Sequence, residues 1–433
     1  MSLLDTLRER VRAGKDRSAL SASRRTLTYG ELLYAVHRRA DTFEDGLVVL
    51  DGSDPIAFLE GLFAARLRNL PAIAHAASSP EALRSAREAE VRRSPWKNGA
   101  AAVFFSSGSV GPARAVPLSE ENLLAAALAF SSWGEVGPDD CVAVGASPAQ
   151  VFGLVRGALN ALLVGAEVSF FVPRKDPLAD AAALAASVVV LPSALAPLAA
   201  RHASRPPLRG LRCGGGPVPE GVARAIEERR GVPVRSGYGL TESAGLASRQ
   251  RSDRPRRPDS SGSPAPGMRV SIVGEDGEER AAGEAGEIRL EGPAVFSGYL
   301  SEADASPFDH EGRLRTGDIG AFDEAGELCV RGRVAFSLSS GGRVLCAEEV
   351  EAAIAEHPGV EEVAAAPFER AFGVLVVTED SSDALLDRLR AHVERRLPAF
   401  ARPRRIVRVD DLPRTGEGKV DRAAASRWLT ERA

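Results

Sequence analysis

Short apolar runs alternate with longer segments of mixed polarity along most of this chain. Residues 100 to 105 are wholly apolar, and the runs at 141 to 145, 167 to 172, 187 to 191 and 211 to 213 are mostly so, a pattern suited to strands buried on both faces of a parallel sheet. Strands are also expected at 46 to 50 and 71 to 74. Residues 3 to 46 read as helical with a short strand-like interruption at 26 to 29, where Thr-Tyr-Gly-Glu then starts a helix. An amphipathic helix is expected at 56 to 68 and a charged one at 79 to 93, with further helices from near Ser119 and at 152 to 163. Such alternation predicts an α/β fold of the doubly wound kind.

The pattern changes at residues 262 to 333. Valines, isoleucines and glycine turns there (RVSIVGEDGEE, GEIRLEG, ELCVRGR) predict a small antiparallel, β-barrel-like unit. Beyond Gly332 the chain reads as an α+β module of about 100 residues, a common domain size. Its strands are expected at 374 to 378 and 405 to 409, and its helices at 347 to 356 and 384 to 397. The expected domains are therefore 1–332 and 333–433.

Composition narrows the picture. The 433 residues are 44% hydrophobic, enough for large cores, and 55 basic against 59 acidic residues leave a formal charge of −4. Neither a nucleic acid nor an anionic membrane is favoured by that balance. The basic run from Arg249 to Arg257 is expected to be a solvated loop, because no aromatic residue interleaves with it. The weakly apolar stretch 181 to 200 is broken by Pro192 and Pro197, so it reads as a buried strand and short helix rather than a membrane span. The mixed charges of MSLLDTLRERVRAGKD do not suit a signal peptide. Cys141, Cys213, Cys329 and Cys346 show neither disulfide-framework nor zinc spacing, which fits a reducing cytoplasm.

Three glycine-rich stretches carry candidate chemistry. In SGYGLTES, from Ser236 to Ser243, the glycines admit a ligand close to the backbone, Tyr238 can lie on a ring, and Thr241 and Glu242 suit phosphate and Mg²⁺. A turn followed by a helix capped by Thr241 accounts for the same string. SSGSVGPAR, from Ser106 to Arg114, can line up backbone N–H groups around phosphate or be a flexible turn; it lacks the Gly-Lys-Ser/Thr of a P-loop. Gly214, Gly215, Gly216 and Pro217 follow a strand, where open α/β sheets bind ligands.

Taken in order, FFSSGSVGPARAVPLSEENL, GGGPVP, GYGLTES, GEIRLEGPAVFSGYL, RTGDIGAFDEAGELCVRGR and LPRTGEGKVDR resemble the signature set of the adenylate-forming superfamily. That superfamily comprises acyl- and aryl-CoA synthetases, nonribosomal adenylation domains and luciferase, and the likeness runs from Thr26 to Arg422. It implies a large N-terminal domain of α/β subdomains with a small β-barrel-like unit, and a small mobile α+β C-terminal domain. It also implies an ATP-dependent acid–thiol ligase. A carboxylate attacks the α-phosphate of ATP, pyrophosphate leaves, and a phosphopantetheine thiol of CoA or an acyl carrier protein then takes the acyl group.

By that resemblance Ser106, Ser107, Gly108, Ser109, Gly111 and Arg114 wrap the β- and γ-phosphates, with Gly215, Gly216 and Pro217 also at the nucleotide. Tyr238 stacks on adenine beside Gly239, Thr241 bonds phosphate, and Glu242 holds Mg²⁺. Asp318 grips the ribose hydroxyls, helped by Arg333, since a carboxylate accepts two hydrogen bonds from a diol. Lys419 bridges the incoming carboxylate and the α-phosphate.

Departures from the family pattern are as informative. Val110 stands where a phosphate-loop threonine is usual, and the cation that follows is Arg114 rather than lysine. Ala335, Phe336 and Ser339 replace the charged hinge set after Gly-Arg, and residues 46 to 93 are fewer than in most relatives. These changes raise the alternative of a catalytically lapsed relative that binds a nucleotide or acyl-adenylate. Gln150, Val151, Gly214, Gly215 and Ala244 are expected to border an apolar pocket for a small carboxylic acid, although Gln150 reads equally as an ordinary surface residue. Val151 cannot pair an ammonium, and burying one unpaired costs several kcal/mol, so α-amino acids are disfavoured.

Overall fold

The apolar runs become strands because their branched side chains pack on both faces of a sheet. Val188–Pro192, Cys141–Val144 and Glu167–Phe170 lie side by side and parallel at the middle of a seven-stranded sheet. Gly210–Gly214 and Val234–Arg235 extend it in parallel on one side. The other side ends in an antiparallel hairpin, Ser18–Ala22 with Arg25–Thr28. A second sheet carries Val48–Asp51, Ala72–His75, Ala100–Phe105 and Ala115–Ser119, the last pair antiparallel.

The computed structural model describes every residue except Met1, Asp45, Ser78, 95–98, 107–112, 302–305, 341–342, Arg370, Glu379, Ser381, 415–419 and 432–433. The chain forms two compact units, one comprising Met1–Ser107, Ala113–Val270 and Leu290–Leu314, the other built mainly from Ser271–Arg289 and Arg315–Ala433. Both sheets above belong to the first. In the region rich in valine and glycine turns, Arg269–Val273, Gly286–Glu291, Leu314–Phe322 and Leu328–Arg333 form a four-stranded sheet, its last pair antiparallel. Further along, Glu362–Phe368, Ala371–Val377 and Arg405–Arg408 form a three-stranded sheet with helices Ala347–Ala355, Asp383–Arg396 and Arg422–Glu431, around cores that include Val374, Leu389 and Leu429. No described helix is long and apolar enough to cross a membrane. Cys141, Cys213 and Cys346 are buried thiols outside any disulfide.

Local signals place the helix starts. The Thr28 hydroxyl accepts from Glu31 N (3.2 Å) while the Glu31 carboxylate accepts from Thr28 N (2.8 Å), a reciprocal cap on Tyr29–Ala40. Ser119 does the same with Asn122.

Three expectations need correction. The segment before Thr28 is not one interrupted helix: helix Leu3–Gly14 is followed by two strands, the first recruited by Glu167–Phe170. The helix Pro55–Leu67 is not amphipathic, since it buries nine residues including Glu60, which pairs with Arg25 (2.5 Å) and Arg39 (3.7 Å). Nor is the basic run wholly solvated. Arg249 is fully buried over the Trp133 ring (4.2 Å), paired with Glu135, and Arg256 pairs with Glu220 and Glu227. The carboxylates and the aromatic ring that accommodate these arginines come from distant parts of the sequence.

Candidate active site

The Ser236 to Ser243 stretch folds as a short strand and one tight turn. Gly237–Tyr238 pairs antiparallel with Ser248–Arg249, leaving Tyr238 half-buried, and Thr241–Ser243 forms a single 3₁₀ turn. Thr241 therefore caps no helix; the residue at the cap position is Leu240. Gly239 is required sterically, because an added Cβ would stand 2.4 Å from the Gly245 carbonyl. Directly after the turn, Ala244 is held at φ 49°, a left-handed conformation costly for alanine.

Glu242 is buried, and its surroundings hold it firmly. Its Oε1 accepts a hydrogen bond from the Tyr299 hydroxyl at 2.8 Å, and its backbone carbonyl accepts from Phe296 N at 2.8 Å. The Arg114 guanidinium lies 4.0 Å over the ring of the same Tyr299. Arg114 also ends the serine-glycine loop: Ser106 N donates to Arg114 O (3.0 Å) and Arg114 N donates to Ser106 Oγ (3.0 Å). Ser107, Gly108, Ser109, Val110 and Gly111 lie outside the described residues, as does Lys419.

Gly214, Gly215 and Gly216 are fastened by Ser193, whose hydroxyl donates to Gly214 O (3.1 Å) or Gly216 O (2.6 Å). The Phe152 ring lies directly against Gly214. Val151 is buried, with its side chain toward Gly245, and Ala244 is fully buried, whereas Gln150 is exposed. Val151, Phe152, Gly214 and Ala244 thus supply apolar surface.

In the second unit the RTGD sequence sets up one carboxylate. Thr316 Oγ1 donates to Ile288 O (2.7 Å) and accepts from Asp318 N (3.0 Å). Gly317 sits at φ +70°, a conformation that suits glycine, and donates to Glu287 Oε1 (3.1 Å). Asp318 is buried opposite Arg333, whose Nε is 3.0 Å from Asp318 Oδ1 and whose Nη1 donates to Thr316 O at 3.1 Å.

Tyr299, Ser193 and Phe152 were not singled out by sequence reasoning. Tyr299 lies inside the quoted GEIRLEGPAVFSGYL string, so its motif was visible but its role was not. Ser193 and Phe152 carry no local signal, because each acts on a glycine far away in the sequence.

Among the described residues no three His, Cys, Asp or Glu side chains converge on a metal. A single buried carboxylate is nevertheless enough for Mg²⁺, which commonly takes one or two carboxylates together with substrate phosphates and water. Glu242, a buried carboxylate with lone pairs left beside its one hydrogen bond from Tyr299, fits that demand.

Comparison with known proteins places the chain in a family. The model of the AMP-binding enzyme family matches residues 64–300, and that of the AMP-binding enzyme C-terminal domain matches 349–419. The chain is 31% identical to sulfoacetate–CoA ligase of Cupriavidus necator over 343 residues, 76% of this chain and 67% of that one. It is 32% identical to indoleacetate–CoA ligase of Aromatoleum aromaticum over 335 residues, 73% of this chain and 65% of the relative. It thus spans about two thirds of the length of these relatives. The fold is similar to that of ATP-bound MatB from Rhodopseudomonas palustris, with a TM-score of 0.87 at 20% identity and full coverage of both chains. The matched family models and the likeness to these CoA ligases make this chain a member of the AMP-binding enzyme family, within the adenylate-forming superfamily.

Proposed function

We propose that this enzyme joins a small carboxylic acid to a phosphopantetheine thiol, on CoA or on an acyl carrier protein, by way of an acyl-adenylate. The observation that carries the reading is the placement of a buried carboxylate, Glu242, and a guanidinium, Arg114, on one tyrosine. An anion must approach a polyanion in the first step, so fixed positive charge and a metal-binding carboxylate are its main requirements. The CoA-ligase relatives support the thiol as acceptor.

In the first step the acid's carboxylate oxygen bonds to the α-phosphorus and the bond to pyrophosphate breaks. Arg114 and the loop from Ser106 to Gly111 neutralise the β- and γ-phosphates, while Thr241 bonds phosphate. Glu242 would hold Mg²⁺, which when bound would offset phosphate charge. Tyr238 and Gly239 form the adenine floor, with Gly215, Gly216 and Pro217 also assigned to the nucleotide. Asp318, aligned by Arg333, takes the ribose hydroxyls, and the proposed role of Lys419 is to bridge the incoming carboxylate and the α-phosphate. In the second step the thiol sulfur bonds to the acyl carbon, its proton is lost, and AMP departs.

The proposed domains are 1–332 and 333–433, turning near Gly332 and Arg333 between the steps. Alanine at 335 leaves that backbone able to rotate, since hinges need no particular residue type. The acid is proposed to lie on Val151, Gly214, Gly215 and Ala244, with Gln150 at the edge; this surface suits an acyl or aryl group and gives an ammonium no partner. Pyrophosphate release across a panel of fatty, benzoic and cinnamic-type acids tests the reading. Acid-dependent release with at least one member is expected, followed by thioester formation with CoA or a holo carrier protein. ATP binding with no release from any acid would instead favour a binding protein.

A further inference from the structure

We propose that Tyr299 is the positioning residue of the nucleotide site: its hydroxyl orients the Glu242 carboxylate for a divalent cation and its ring holds the Arg114 guanidinium. This rests on the reading of Glu242 and Arg114 given above. Paired directly, the two charges would neutralise each other and meet an incoming nucleotide already satisfied. With both on Tyr299, neither is cancelled. The phenol donates one hydrogen bond to Oε1 at 2.8 Å, and a carboxylate has further lone pairs for a metal. A cation over a ring face at 4.0 Å uses none of its N–H donors, so the guanidinium keeps its donor edges for phosphate.

Tyr299 is itself held in place from several directions. Asn122 Nδ2 lies within bonding distance of Pro293 O (2.8 Å) and Val295 O (2.9 Å), fixing the turn that precedes it. Phe296 N donates to the Glu242 carbonyl (2.8 Å), and the Phe296 ring meets Tyr299 edge-on at 5.0 Å. Leu300 N donates to Ala115 O (3.1 Å), next to Arg114. The turn is thereby tied to both segments whose charges Tyr299 contacts. Hydrogen bonds that orient a metal's ligand typically change metal affinity by about 10–100-fold when removed.

Two variants separate the functions of the ring and the hydroxyl. Tyr299→Phe keeps the ring under Arg114 and removes the bond to Glu242; Tyr299→Leu removes both. ATP binding is measured by titration calorimetry, first with EDTA and then across a Mg²⁺ series, alongside melting temperature. Tyr299→Phe is expected to bind ATP in EDTA as wild type does, while needing about tenfold more Mg²⁺ for the metal-dependent gain in affinity. Tyr299→Leu is expected also to lose about two- to fivefold in the EDTA affinity, the scale of one cation–π contact. If Tyr299→Phe shifts only the melting temperature and leaves the Mg²⁺ dependence at wild type, the positioning role is overturned; that result stands even if the leucine variant does not fold. If wild type itself binds ATP with no Mg²⁺ dependence, the nucleotide-site reading fails instead.

Discussion

Arg333 stands directly across an antiparallel strand pair from Asp318, its Nε 3.0 Å from Asp318 Oδ1 and its Nη1 on the Thr316 carbonyl at 3.1 Å. The guanidinium thus fixes both the carboxylate and the backbone that carries it. If Asp318 grips the ribose, the contact exists before reaction and its loss weakens binding uniformly. Asp318→Ala is expected to raise the ATP KM by about tenfold or more with little change in kcat, and Arg333→Met to raise it less. Steady-state pyrophosphate release against ATP concentration checks both.

Glu242→Gln retains an oxygen for the Tyr299 hydroxyl but removes the charge. The half-saturating Mg²⁺ concentration is expected to rise by about tenfold, the scale for perturbing a metal ligand's surroundings. Rates measured at a series of Mg²⁺ concentrations and saturating ATP decide this. A defect identical to that of Asp318→Ala would show that the two carboxylates do not divide the work between metal and ribose.

Arg414 and Val420, which flank the segment of sequence containing Lys419, form a β-bridge, and Asp421 N donates to Pro413 O (2.8 Å). Lys419→Ala is expected to lower acid-dependent pyrophosphate release by about a hundredfold or more, the usual cost of losing a positioned transition-state charge. ATP affinity should hardly change. Supplied with preformed acyl-adenylate, the variant should still acylate CoA or a holo carrier protein, as read by mass spectrometry of the thiol. No acylation above an enzyme-free control, with wild type still releasing pyrophosphate, would remove the thioester half of the function.

Glu135 is the carboxylate shared by two buried arginines, Arg212 (2.9 Å) and Arg249, with buried Arg156 nearby. Burial works to raise its pKa, but Arg212 and Arg249 outweigh it and hold the carboxyl below its ordinary value. Its contribution to stability is therefore present above the ordinary carboxylate pKa and lost as pH falls through the lower folded value. Glu135→Gln leaves buried charge unpaired and is expected to cost about 3–5 kcal/mol. Urea denaturation at neutral pH measures the loss.

Glu351 has the opposite sign. Burial pushes its carboxyl from 4.5 up to about 7, against the pull of Arg422 at 2.7 Å. The folded state therefore holds a proton that the unfolded state gives up, and stability falls as pH rises from about 4.5 to about 7. Removing this carboxylate's charge by Glu351→Gln should flatten that slope and leave the variant more stable than wild type at pH 8, by the order of 1–3 kcal/mol at most given the retained Arg422. Denaturation midpoints of both proteins across pH 4.5–8 test the sign.

What the sequence determined by itself is the chemistry that neighbours along the chain can settle. Thr28 with Glu31 and Ser119 with Asn122 cap helices because both partners lie within one turn. Thr316, Gly317 and Asp318 form their own small scaffold for the same reason, and the order of motifs was enough to identify the superfamily. Tertiary structure decided which charges are buried and what they meet. Arg249 in a basic run looks solvated until Glu135 and Trp133 arrive from more than a hundred positions away. The helix Pro55–Leu67 hides Glu60 because Arg25 and Arg39 come to it. Tyr299 acquires its place only when Arg114 and Glu242, distant in sequence, close on the same ring. Desolvation and the pairing of charges depend on which segments pack together, and periodicity along one segment does not carry that information.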